Sequence, residues 1–154
     1  MTQEDKELLL KDLCARLDTN LVCSIYRTDD EGVGYRDEIL HGYCKGDMWY
    51  EFYFREDCSI GVDNVSKIKP YLFPLSSMTE EQWDKEFRGY GITEFTRDSF
   101  KYGCETLEFT NNNPNLSKTV KFINQLIKNH FDIYGLIPKG LAEDATDKNI
   151  YDYL

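Results

Sequence analysis

Between residues 21 and 62 the chain holds four apolar segments joined by connections too short to cross over a sheet: LVCSIYR (21–27), YRDEILHGYC (35–44), DMWYEFYF (47–54) and CSIGV (58–62). Parallel neighbours need a crossover of a dozen or more residues, whereas antiparallel ones need only a turn. These four segments are therefore expected to form an antiparallel meander. Lys45-Gly46 is the signal for a tight hairpin, and TDDEGVG at 28–34 reads as a second, looser hairpin loop.

Alternation within 47–54 sorts its side chains. Met48, Tyr50, Phe52 and Phe54 share one face, while Trp49, Glu51 and Tyr53 share the other. The first set is expected to meet the helices. The second makes an outer aromatic stripe, which is either covered structurally or used as a binding surface. Trp49 and Tyr53 are the candidate protein-binding residues.

Three helices are legible. Residues 3–17 place Leu9, Leu10, Leu13, Cys14 and Leu17 at helical spacing behind a Thr2 N-cap, with Glu4 and Asp5 in the first turn. Residues 79–88 start with a capping box, Thr79 with Gln82 at N3, and Met78 and Trp83 stand at the hydrophobic-staple positions. Gly89 ends that helix. In 116–130 a face of Leu116, Val120, Ile123, Ile127 and Phe131 is expected, helped by Leu126. The two prolines of SKIKPYLFPLSS (66–77) suggest an irregular connector. CETLEFT (104–110) resembles a strand, and TNNNPN reads as the loop before the last helix. The expected architecture is a single α+β domain over 1–154. It has an antiparallel sheet of about four to five strands, with about three helices packed mainly on one face.

Composition limits the function. The net charge is −10, from 28 acids against 18 bases, and it is spread over both halves of the chain. A phosphate backbone would be repelled, so direct nucleic-acid binding is not expected. Five cysteines (14, 23, 44, 58, 104), with no CxxC, point to reduced thiols and a cytoplasmic location. The polar opening MTQEDKE is not a secretory signal, and no apolar run approaches the roughly 18 residues of a membrane span.

Motifs for chemistry are sparse. Cys23, His41, Cys44 and Cys58 are the best metal candidates, but only His41-x-x-Cys44 forms a close pair, whereas structural zinc sites use two. Buried structural cysteines are the competing account, and no metal or cofactor is expected. The pairs Asp37-Glu38 and Glu56-Asp57 are adjacent in sequence, so within a strand they would point to opposite faces. No phosphate-binding or metalloprotease signature occurs. Near the C-terminus, His130 and Asp132 pose a choice between a catalytic pair and the tying down of a helix end. No nucleophile stands at a telling spacing. Asn129 and His130 suit a helix C-terminus, Gly135 suits a turn, Leu136 and Ile137 suit a plug, and Pro138 stops a helix. The structural role is expected, and no catalytic residue is assigned.

MTQEDKELLLKDLCARL (1–17), IKPYLFPLSSMTEEQ (68–82) and NHFDIYGLIPKGLAEDA (129–145), about a third of the chain, resemble a family of small uncharacterised proteins. That family recurs in gut Bacteroidales genomes and in their phages and mobile elements. The resemblance implies a bacterial or phage cytosolic origin and brings no active site. The leading expectation is a non-enzymatic protein-binding module of a phage or mobile element, whose partner is another protein or a second copy of itself. Two alternatives stand beside it. One is an acidic mimic that occupies a nucleic-acid-binding groove, and the other is a small enzyme with a dispersed Cys/His site.

Overall fold

The structure is a computed structural model that describes residues 1–29, 32–45, 50–55, 58–87 and 116–150. The expected strand at 104–110, the loop at 111–115, the helix end at Gly89, and both Met48 and Trp49 lie outside the described residues.

Helix α1 (Gln3–Ala15) begins at a reciprocal cap. Thr2 Oγ1 accepts from the Asp5 N–H at 3.1 Å, and the Asp5 carboxylate accepts from the Thr2 N–H at 3.1 Å. These two bonds satisfy donors that a helix start leaves over, and they hold the Asp5 carboxyl below its usual range. The stripe that α1 buries is Leu9, Asp12 and Leu13, and Arg16 just beyond it is buried as well. Cys14, expected on the apolar face, is exposed.

Among the described residues, seven strands follow: β1 (Val22–Asp29), β2 (Gly32–Ile39), β3 (Gly42–Lys45), β4 (Tyr50–Arg55), β5 (Cys58–Gly61), β6 (Ile68–Leu72) and β7 (Glu143–Asp144). They form a four-stranded sheet in the order β2-β1-β6-β7 and a three-stranded sheet in the order β3-β4-β5. The meander from β1 to β5 is antiparallel where its strands pair. The fold is α+β, as expected.

Four local expectations are corrected. The first hairpin is tight, because Asp29 pairs with Gly32. Gly32 adopts φ +123°, a backbone conformation open to glycine and strained for other residues. Conversely, Lys45 pairs with Tyr50, so residues 46–49 connect β3 to β4 in place of a two-residue turn at Lys45-Gly46. The segment 35–44 is two strands, not one. Leu40, 1% exposed, still donates its N–H to Leu21 O at 2.8 Å in the first sheet, but His41 donates to Tyr53 O at 2.8 Å in the second. The chain changes sheets between these two residues, which is how strands turn corners in packed sheets.

The fourth correction concerns the 66–77 connector. It contains β6, an interior strand of the four-stranded sheet. Pro70 lacks a donor and would ordinarily exclude such a strand. Here β6 pairs with β1 over Ile68–Pro70 and with β7 over Tyr71–Leu72, so the pairing changes sides at the proline. The β6·β7 pair is parallel, and the long chain between the two strands permits it.

Phe52 and Phe54 point into the core as the alternation requires. They join Leu9 and Leu13 of α1 with Leu21, Ile25, Leu40, Ile68, Leu72 and Leu136. Each such side chain contributes about 1.5–3 kcal/mol when fully buried. A second apolar cluster lies under the last helix, α3 (Leu116–Lys128), and contains Met78, Phe87, Phe122, Leu126 and Phe131. The buried stripe of α3 is Thr119, Phe122 and Leu126. Val120, expected on that face, is 46% exposed, and Ile123 and Ile127 are half-buried. Polar Thr119 on the stripe is what disguised its direction. No helix among the described residues is long and apolar enough to cross a membrane.

The middle helix begins as the sequence requires. Thr79 Oγ1 accepts from the Gln82 N–H at 3.1 Å, and Gln82 Oε1 accepts from the Thr79 N–H at 2.9 Å. The α-helical turn, α2 (Glu80–Gln82), then widens into a π-helical turn over Trp83–Phe87, which carries Trp83 and Phe87 to the second cluster. Thr79→Ala should therefore cost about 1 kcal/mol. The check is the urea midpoint at constant m. An unchanged midpoint would show that the cap does not hold this turn.

Candidate functional site

Tyr53 lies on β4, half-buried, on the side opposite Phe52 and Phe54, so the alternation places it correctly. Its hydroxyl lies 3.5 Å from Glu51 Oε2. A hydrogen bond with Cys44, on the neighbouring strand β3, pushes the phenol up, and the charges of Cys44 and Glu51 act in the same direction. Trp49 lies outside the described residues, so the stripe is represented here by Tyr53 alone.

The Cys/His candidates differ in environment. Cys23 is fully buried on β1, where burial pushes its thiol well above the usual range. Cys44 and His41 are exposed. The side chain of Cys58 lies outside the described residues. Among the described residues, no three His, Cys, Asp or Glu side chains gather as a metal site would require.

His130 and Asp132 serve separate structural ends. His130 has φ +59° and closes α3 with a Schellman motif. Its N–H donates to Ile127 O at 3.0 Å, and the next N–H, of Phe131, donates to Leu126 O at 3.0 Å. Phe131 and Leu126 also share the second apolar cluster, as this motif favours. The Asp132 carboxylate accepts backbone N–H bonds from Tyr134 (3.3 Å), Leu136 (2.9 Å) and Ile137 (2.8 Å). Gly135, at φ +67°, makes that loop possible.

The positive group that meets the end of α3 comes from α1. Arg16 and Asp12, both fully buried, form a two-pronged ion pair with Nε to Oδ2 and Nη2 to Oδ1 each at 2.8 Å. Arg16 Nη1 also donates to Ile127 O at 2.9 Å, and Nη2 donates to Phe131 O at 2.7 Å. Burial pushes the Asp12 carboxyl up, against the opposing pull of Arg16. The sequence carries the signal: positions 9, 12, 13 and 16 lie on one helical stripe, and two of them are oppositely charged residues at i,i+4.

A further cluster holds the C-terminal tail on the outer face of the four-stranded sheet. Tyr71 Oη donates to Asp37 Oδ1 at 2.9 Å. Lys148 Nζ donates to Tyr71 Oη at 3.1 Å and lies 4.3 Å from the ring centroid. Lys69 pairs with Glu143 at 3.1 Å. Away from this tail, among the described residues, the same face carries exposed side chains. On β2, the end strand of the sheet, Val33 is 67% exposed and Tyr35 is 62% exposed. Tyr35 is steadied by an edge-on contact with Tyr26 at 5.2 Å. Val33 falls in the stretch that the sequence assigns to the 28–34 loop, whereas Tyr35 opens the expected strand 35–44.

Compared with protein-family models, curated proteins and solved structures, the chain matches none.

Burial, and secondarily the Arg16 charge, push His130 down to about 4 from 6.5. A depressed histidine leaves the unfolded chain holding the extra proton between these values. Its contribution is therefore complete above pH 6.5 and is lost as pH falls towards 4. The loss is roughly 3 kcal/mol. Asparagine tolerates the left-handed region and does not titrate. In urea unfolding from pH 7 to pH 4, wild type should lose more stability than His130→Asn by about that amount. Parallel losses would remove His130 as the source.

Proposed function

We propose that this protein is a non-enzymatic protein-interaction module, of a phage or mobile element of gut Bacteroidales, working in a reducing cytoplasm. The observation that carries the reading is the pair of well-exposed apolar side chains, Val33 and Tyr35, on the end strand of a sheet. Tyr43, exposed on β3, and Tyr53, half-buried on β4, add aromatic surface on the second sheet. Tyrosine suits interfaces because it presents a large rigid face with a polar tip. An odd number of cysteines with no CxxC supports the reducing compartment. Against a catalytic His130–Asp132 pair, the Asp132 carboxylate is committed to backbone donors.

The test places a photo-crosslinking amino acid in turn at positions 35, 49 and 53 in cells of the native host. A discrete protein adduct is expected. Replacing Val33 and Tyr35 together by serine should leave the thermal melt nearly unchanged, as for other surface positions. Loss of about 2 kcal/mol at an aromatic anchor should weaken binding of the recovered partner by roughly 30-fold. The same replacement at Trp49 and Tyr53 tests the β4 stripe. No adduct at any of the three positions would count against a protein-binding role.

A further inference from the structure

Half of the stripe that α1 and its C-cap bury is an ion pair. The stripe is Leu9, Asp12, Leu13 and Arg16, and the charged two form the tie to the end of α3. Further polar ties of α1 lie at the surface. Lys6 reaches the fully exposed Asp63 at 3.4 Å, Lys139 lies 3.9 Å from Asp5, and Lys11 lies 4.7 Å from the Tyr134 ring centroid. Exposed contacts of this kind contribute little. By contrast, β1 is laddered to eight residues of β2 and three of β6, none of them in α1.

The ion pair sits in a buried cluster of ionisable groups. Besides Asp12 and Arg16 from α1, β1 brings Cys23 and the 126–137 segment brings His130 and Asp132, all buried. The Arg16 charge acts on His130 and on Cys23, the Asp12 charge acts on Cys23, and the Asp132 charge acts on Asp12. Phe73, which follows β6, meets His130 through backbone alone, with its N–H donating to His130 O at 2.9 Å. A proton on His130 adds a second buried cation within reach of Arg16, and like charges repel strongly where water is excluded. The nearby carboxylates are already engaged: Asp12 takes two bonds from Arg16, and Asp132 takes three from backbone N–H groups. Asp12 does not itself drive opening. Burial pushes its carboxyl up, so a proton on Asp12 favours the folded form.

We propose that Arg16 and His130 form an acid-sensitive latch. When His130 takes up a proton, the contact between α1 and the 126–137 segment opens as a unit, while the ladders of β1 with β2 and β6 stay paired. Cys23 is the built-in reporter. It is fully buried, it packs in the cluster that holds Leu9 and Leu13, and opening of α1 uncovers it.

The test labels the full chain with dithiodipyridine, a thiol reagent active in acid, and reads Cys23 by peptide mass spectrometry. Rates are normalised at each pH to a peptide of the same sequence. Amide exchange of β1 and β2 is followed in parallel. Where reclosing outpaces labelling, the rate reports the open population. With His130 held near 4 when closed and at its ordinary 6.5 when open, that population should rise about 50-fold from pH 7 to pH 4.5. At pH 4.5 Cys23 should open at least about tenfold more often than the slow amides of β1 and β2. In His130→Asn, and in His130→Gly, the residue that this helix-end position favours, the rise should shrink below about threefold. A rise that persists in both variants, or no rise in wild type, would overturn the latch. Equal opening at Cys23 and at the sheet amides would also overturn it, because the acid response would then be global unfolding.

Discussion

The guanidinium of Arg16 is the point on which the two halves of the core converge. It bonds twice to Asp12 one turn back on its own helix and once each to the carbonyls of Ile127 and Phe131 at the far end of the chain. A buried arginine is tolerated only where its charge is matched and its donors are used. Both conditions are met here. The positive charge also sits at the negative end of the α3 macrodipole, where backbone carbonyls have no helical partners. Such a pair gains little over well-packed apolar side chains, yet breaking it strands a buried charge at a cost of about 3–5 kcal/mol. Its larger consequence is geometric. Planar, forked donors fix the orientation of α1 against the α3 terminus.

From that point the constraint passes through the backbone. The His130 carbonyl accepts from the Phe73 N–H at 2.9 Å, and Phe73 O accepts from the Asp132 N–H at 2.8 Å. Phe73 follows β6 directly, so the end of α3 is stitched to the interior strand of the sheet. Asp132 then folds residues 134–137 around its carboxylate and delivers Leu136 into the cluster that holds Phe52 and Phe54. Phe131, one residue earlier, belongs to the other cluster, with Phe87 and Phe122. One short segment thus serves both apolar clusters, and the α1 ion pair anchors it.

The parts of this arrangement that are legible in sequence are those set by local chemistry. The Thr79 capping box, the antiparallel run from β1 to β5, the inward set of Phe52 and Phe54, and the structural role of the His130–Asp132 segment follow from turn residues, alternation and caps. What sequence missed depends on distant partners. Pro70 sits in an interior strand because two different neighbours share that strand's halves. Leu40 and His41 divide one apolar run between two sheets because the chain bends there around a common core. On α1 the charged residues Asp12 and Arg16 occupy the buried stripe because carbonyls from residues 127 and 131 complete their coordination, and a hydrophobicity pattern gives such residues no place inside. Of the candidate contact residues, Tyr53 is where alternation placed it. Val33 is a strand residue because the hairpin is tight, whereas Tyr35 already lies in the expected strand 35–44.

Arg16 holds α1 and the 126–137 segment as one cooperative unit. Native-state hydrogen exchange of the full chain measures this directly, by comparing wild type with Arg16→Met. The amides of Leu13, Phe131 and Leu136 should share one opening free energy in wild type. In the variant they should fall together, by several kcal/mol, in line with the loss of a buried pair's partner. A fall confined to α1, with protection at Phe131 and Leu136 unchanged, would contradict it.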